Sequence, residues 1–488
     1  MARHKKKIME ATRALERAGS YAEWLEVAAE LDRLEETDAW REDPRSPHYD
    51  HELIADHLRR MRALRLASDA RGLRNLLQES LHRSLGDLSN QALYEYAYTG
   101  TKHLIEEYLD EIERALCWLR DTPLPGFPTE RKLEVVRHAL HLFGRSALIL
   151  SGGGALGLFH LGVVKAMWER GTLPEIISGA SMGAIVAGGV CTRDDVGLAQ
   201  MWESVESIHR TATRIQSPFK WGESGSILAP EQLAEHVEAN LGDYTFEEAR
   251  RRSGRTLNIP VSPVRKRQKP RLLNHLTSPD VLITDAAIAS CSLPALFPPG
   301  KLRRRVEGGG LEPYIRGEVW VDGSIYSDVP AQRLGRLLNV NHFIVSQANP
   351  HVIPISAIER RRGAVSTAAD FLAGGARAQA RHALNTARRR LGDSQWRAPL
   401  EFAHAMAHQD YTGNITIYPK FKARDLARVM KNPSLEELHG YIEAGERATW
   451  PRLAMIRDQT RISRVMVACV KELERRQAGL GRRDDVKA

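Results

Sequence analysis

Hydrophobic and polar positions follow two different periods along this chain. Residues 21–35, 53–66, 73–85 and 104–119 repeat apolar side chains every three or four positions, the spacing of one helix face. Between the first two, residues 40–50 contain Pro44 and Pro47 and read as a turn region that interrupts helix. Short apolar runs at 147–150, 175–178 and 319–321 predict buried strands, each leading into a glycine-rich or acidic loop. Residues 158–167 and 182–188 then carry helical patterns. Beyond Pro350 strands become sparse. The pattern predicts a basic helix over 364–391, one late strand over 414–419 able to join the sheet, and a helix over 434–450. Ser434 and Glu437 have capping-box spacing, Pro451 is the expected stop, and the charged end from 475 to 488 is expected to fray. At 488 residues, more than one compact unit is expected. The divisions are a helical N-terminal domain (1–145), an α/β domain (146–346) and a mostly helical C-terminal region (347–488).

The three loops carry the candidate chemistry. Ser181 stands between Gly179 and Gly183, after a strand and before a helix. Such a turn pushes the hydroxyl outward as a candidate nucleophile, although glycine-rich turns also occur for packing alone. Gly152, Gly153 and Gly154 lack side chains, so their amides can approach a substrate oxygen and stabilise an oxyanion. Gly152, Gly154 and Gly157 also fit a dinucleotide-binding turn, but that needs an acidic residue at the end of the next strand. Glu175 begins that strand instead. Asp322 precedes Gly323 at a strand-to-loop junction, where a carboxylate could take the serine proton or simply shape a turn. A Ser-His-Asp arrangement would need a later histidine. His342, His351, His404 and His408 are available, none with a motif around it, and His342 opens an apolar run.

As an ordered set, the glycine run at 152–157, the serine elbow at 179–183 and Asp322-Gly323 resemble the patatin-like phospholipases. The stretch 289–299 is similar to the family's segment before the aspartate loop. The resemblance implies a patatin-like three-layer α/β/α sandwich with helical N-terminal and C-terminal extensions. It implies Ser181 as nucleophile, Asp322 as base, and an oxyanion cradle at Gly152, Gly153 and Gly154. Gly157, Gly179, Gly183 and Gly323 support the motifs. No metal or organic cofactor is implied. Leu156 stands where many members have a cation, and Ser324 where many have a small residue; neither change removes a reacting group. The helical N-terminal region, with residues 157–160, resembles the branch of triacylglycerol lipases from eukaryotic lipid droplets and their bacterial relatives. The implied substrate is a glycerolipid: triacylglycerol, with phospholipid or lysophospholipid as the alternative. A catalytically weak lipid-binding scaffold is the alternative of another class, against which the intact Ser181 and Asp322 stand.

Charge and cysteines add little. With 70 Lys+Arg against 61 Asp+Glu the net charge is +9. Basic clusters at 264–271 and 301–305 suit phosphate head groups at a membrane or lipid-droplet surface, or are solvated loops. No recognition motif accompanies the charge, so nucleic acid is not an expected partner. Cys117, Cys191, Cys291 and Cys469 are scattered and suggest reduced, cytoplasmic thiols. No apolar signal core or membrane-spanning run is present in the sequence, so any membrane contact is expected to be peripheral.

Overall fold

The computed structural model describes residues 2–217, 226–265, 268–293, 296–323, 330–349, 412–421 and 423–485. Two compact units emerge. The first comprises 1–146, 335–342 and 449–488; the second comprises 147–334 and 343–448.

The first unit is helical. Its leading helices are α1 (Ala2–Arg17), α2 (Tyr21–Leu34), α3 (Thr37–Glu42), α4 (His51–Leu66), α5 (Ala70–Ser80), α6 (His103–Asp121) and α7 (Thr129–Phe143). Ser20, Asp50 and Asp69 cap α2, α4 and α5 by accepting backbone N–H groups of Glu23, Leu53 and Gly72. In α6, Ile105, Tyr108, Leu109, Ile112, Ala115, Leu116 and Leu119 form one buried stripe that packs against α4, α7 and the C-terminal helix. The aromatic Tyr108 thus serves packing. The expected turn at 40–50 begins a little later, because α3 runs to Glu42, just ahead of Pro44.

Pro451 does end the preceding helix, but it lies in a 3₁₀ turn, Trp450–Arg452, that feeds directly into a helix over Leu453–Asp485. Proline lacks an N–H, which a first helical turn does not need. Nor does this helix fray from 475: Arg476 is paired with Asp121 and Glu472 at 2.8 Å each.

The second unit is built on a mixed sheet of β1 (Arg145–Leu150), β2 (Ile176–Gly179), β3 (Thr256–Pro263), β4 (Arg271–Leu273), β7 (Trp320–Asp322), β8 (Val340–Ser346) and β9 (Ile415–Ile417), with β5 (Arg303–Arg305) and β6 (Leu311–Pro313) as a separate hairpin. Strand order is β4-β3-β2-β1-β8-β9, and β7 also pairs with β3. The pairs β1/β2, β2/β3 and β8/β9 are parallel; β4 and β7 run antiparallel to β3. All eight residues of β3 are buried, and its polar Asn258 donates to the Ile177 and Thr256 carbonyl groups. The helices here are α8 (Phe159–Glu169), α9 (Met182–Cys191), α10 (Asp195–Glu203), α11 (Pro230–Leu241), α12 (Phe246–Ser253), α13 (Ile283–Cys291), α14 (Ala331–Leu338, ending in the first unit), and α15 (Leu435–Thr449), before α16 (Leu453–Asp485). The late strand, β9, joins the sheet beside β8 as expected. The capping box of α15 forms in both directions, Ser434 N to Glu437 and Glu437 N to Ser434 Oγ. Helices α8 and α15 cross at Gly162 and Gly445, where an added Cβ on Gly162 would lie 1.8 Å from the Ile442 carbonyl oxygen. The basic segment 364–391 lies outside the described residues.

Candidate active site

Ser181 occupies the tight turn between β2 and α9, with φ 53 and ψ −124. This backbone region is unfavourable for any side chain and marks a site where the surroundings hold the chain in place. The flanking glycines are required by contact. A Cβ on Gly179 would lie 2.1 Å from the Gly183 carbonyl oxygen, and one on Gly183 would lie 2.3 Å from that of Leu150. The turn is further fixed by Ala180 N donating to Leu150 O and by Ser181 N donating to Ser290 Oγ at 3.1 Å.

The glycine loop leaves the end of β1 beside this turn. A Cβ on Gly152 would lie 3.5 Å from the Ser181 Cβ, so the loop and the serine face each other. Gly153 and Gly154 have φ 154 and 55, which only glycine adopts without strain. Both are also covered: Cβ atoms there would meet Ala348 O at 2.9 Å and Val429 O at 2.4 Å. Val429 O in addition accepts Ala155 N at 2.8 Å. Gly157 presses on the start of α9, where its Cβ would lie 2.7 Å from the Met182 side chain.

Asp322 ends β7 opposite Val261 of β3, with its side chain buried. Gly323 lets the chain pass the β3 backbone, 2.5 Å from a would-be Cβ to the Pro260 carbonyl carbon. The serine and aspartate segments are tied together by three consecutive residues at the end of α13. Ser290 Oγ accepts the Ser181 N–H, and the Ser292 carbonyl accepts the Asp322 N–H at 3.2 Å. Between them Cys291 senses both side chains. Burial pushes its thiol pKa up, the Asp322 charge adds to that, and a Ser181 hydrogen bond acts in the opposite direction. The glycine loop thus lies beside the serine turn, and residues 290–292 link that turn to the end of β7.

A family model described as patatin-like phospholipase matches residues 148–334, and one described as a domain of unknown function (DUF3336) matches 1–141. Triacylglycerol lipase ptl3 of Schizosaccharomyces pombe is 33% identical, over 96% of this chain and 98% of its own. The chain belongs to the patatin-like phospholipase family. It is a lipid acyl hydrolase, and so a carboxylic ester hydrolase. Triacylglycerol lipase 4 of Saccharomyces cerevisiae is 33% identical over 90% of this chain and 50% of its own. Triacylglycerol lipase SDP1L of Arabidopsis thaliana is 32% identical over 93% and 57%. The chain therefore spans nearly all of the first relative and about half of the other two.

Within this patatin-like unit, the sequence marks the segments around the serine but not the contacts their side chains make. Ser290 and Cys291 lie in the 289–299 stretch, but their contact with Ser181 depends on α13 packing. His160, part of the branch resemblance, is fully buried and bonds Ser346 Oγ and Ser151 O. A cavity of about 350 Å³ opens beside α9, lined by Leu158, Leu161, Met182, Ile185, Met201 and Ile208 among others.

His342 is engaged elsewhere. Its two ring nitrogens bond Ser146 Oγ and Gln459 Oε1. Burial, helped by the Arg83 charge, lowers its pKa to about 3. His351, His404 and His408 lie outside the described residues, as do Ser324, Lys266 and Arg267. The basic cluster at 301–305 is largely matched within the unit. Arg303 grips buried Asp285, Arg304 lies 3.5 Å from Glu312, and Arg305 pairs with Glu248 and Asp243. Arg265 lies 3.6 Å from Glu318. Among the described residues no helix is long and apolar enough to cross a membrane. All four cysteines are free thiols.

Proposed function

We propose that Ser181 and Asp322 form a catalytic dyad that hydrolyses neutral glycerolipid esters, triacylglycerol foremost, at a lipid surface. The observation that carries the reading is the strained Ser181 turn facing the glycine loop, joined to the Asp322 strand through Ser290–Ser292. Ser181 Oγ attacks the ester carbonyl carbon while its proton passes to the Asp322 carboxylate. The carbonyl oxygen becomes an oxyanion, held by main-chain amides among Gly152, Gly153 and Gly154. Collapse expels the glycerol oxygen, which takes the proton from Asp322, and leaves an acyl group on Ser181. Water then gives a proton to Asp322 and attacks the acyl carbon. The second collapse releases the fatty acid and returns a proton to Ser181. The cavity beside Met182 offers an acyl chain an apolar wall of Leu158, Leu161, Ile185 and Met201, alongside polar Arg193, His236, Asn240 and Arg252.

The relatives' names supply the choice of triacylglycerol. The test is product analysis with triacylglycerol, phospholipid and lysophospholipid presented side by side. Fatty acid should be released chiefly from triacylglycerol and vanish in Ser181→Ala. Unchanged turnover in that variant would remove Ser181 from the mechanism. Preferential phospholipid cleavage would leave the dyad and replace the substrate.

A further inference from the structure

Three fully buried polar side chains lie behind the glycine loop: Ser151, His160 and Ser346. Their hydrogen bonds admit one direction. The Ser151 carbonyl can only accept, so His160 Nε2, 3.0 Å away, carries a proton and donates. Burial lowers the imidazole pKa to about 4, so the ring is neutral near pH 7 and its Nδ1 is an acceptor. Ser346 Oγ, 2.7 Å from Nδ1, must then donate to it. The Ser151 hydroxyl accepts the Ala348 N–H at 2.8 Å and gives its own proton to the Gly152 carbonyl, also at 2.8 Å. Ser151 N donates to Ser346 O at 3.1 Å and closes the network.

The planar trans peptide turns this network into an orientation device. In each peptide unit the C=O and N–H point to opposite sides. Drawing the Ser151 carbonyl toward His160 turns the Gly152 N–H the other way. Drawing the Gly152 carbonyl toward the Ser151 hydroxyl does the same for the Gly153 N–H. Glycine has no Cβ to hold either peptide by packing, and Gly153 already has φ 154. A flexible loop needs such external fixing if its donors are to be preorganised.

We propose that Ser151, His160 and Ser346 are positioning residues that set the tilt of the Gly152 and Gly153 amides presented to Ser181. This rests on the reading of the glycine loop as the oxyanion cradle. None of the three touches the reacting atoms. They act through two carbonyl groups, and His160 is the central member because it joins the loop to β8.

The experiment uses the full chain and a small soluble ester, p-nitrophenyl butyrate. Ser151→Ala and His160→Leu should each lower kcat about 10- to 100-fold with KM within about twofold of wild type, less than or comparable to deleting a whole oxyanion donor. Phosphonylation of Ser181 by a fluorophosphonate should slow by a similar factor, because its tetrahedral adduct uses the same amides. His160→Gln keeps a side-chain N–H for the Ser151 carbonyl and should recover most of the loss seen in His160→Leu. A Ser151→Ala enzyme with wild-type kcat would overturn the proposal. So would kcat, KM and the unfolding midpoint shifting together with no recovery in His160→Gln, since that describes a structural role alone. If Ser151→Ala does not fold, the Leu and Gln variants at position 160 read the same network. Failure of the fluorophosphonate to label Ser181 in the wild-type protein would instead overturn the underlying dyad.

Discussion

The backbone at Ser181 makes a measurable demand on stability. With φ 53 and ψ −124, a residue bearing a Cβ is held in a region that costs on the order of 1–3 kcal/mol. Glycine removes that cost. Against this, glycine gains unfolded-state freedom worth about 0.4–1 kcal/mol. It also forgoes the packing of a half-buried methyl, about 0.4 kcal/mol when half of a methylene's transfer energy is counted. Comparing Ser181→Gly with Ser181→Ala is cleanest, because both lack the hydroxyl and its contact with Cys291. The difference should be about 1 kcal/mol in favour of glycine. For a unit of this size that is roughly a 2 °C rise in Tm. Calorimetric melting of the two variants measures it directly, while both remain inactive toward the ester. If Ser181→Ala proves as stable as Ser181→Gly, the turn stores no strain and the link between its backbone and its chemistry is wrong.

Two other outcomes rest on the same geometry. Asp322→Asn should lower kcat by about 100-fold or more, the usual range for losing a general base, whereas His342→Gln should leave kcat within about threefold. The reverse order in steady-state assays would favour a histidine mechanism. Burial lowers the pKa values of His160 and His236 to about 4, from 6.5. As pH falls from 6.5 toward 4, the unfolded chain therefore binds protons that the folded chain refuses, and stability is lost across that window. At about 1.4 kcal/mol per pH unit, each contributes a loss on the order of 2 kcal/mol by pH 5. Urea midpoints at pH 7 and pH 5 test this. Ordinary stability at pH 5, or an unchanged difference in His236→Gln, would refute it.

The serine elbow was legible because its constraints are local. Gly179 and Gly183 must be small for the turn to close, and that requirement is written in five consecutive residues. Helix caps such as Ser434 with Glu437 were legible for the same reason. What escaped is long-range pairing. His160 meets Ser346 across 186 positions, and no local pattern announces which serine a buried imidazole will find. Arg303 likewise reads as surface charge until the fold brings it to Asp285. Pro451 stops one helix but also suits the start of another, and only the packing of α16 on α6 and α7 decides between ending and continuing.

The cover over Gly153 and Gly154 comes from Ala348 and Val429, well past residue 334, where the patatin-like match ends. A fragment cut at that limit would keep Ser181 and Asp322 yet lose β8, β9 and the roof of the loop between β1 and α8. Homology limits and the physical boundary of the loop's surroundings therefore differ, and a fragment that keeps the cover over Gly153 and Gly154 must carry its own sequence at least through Val429.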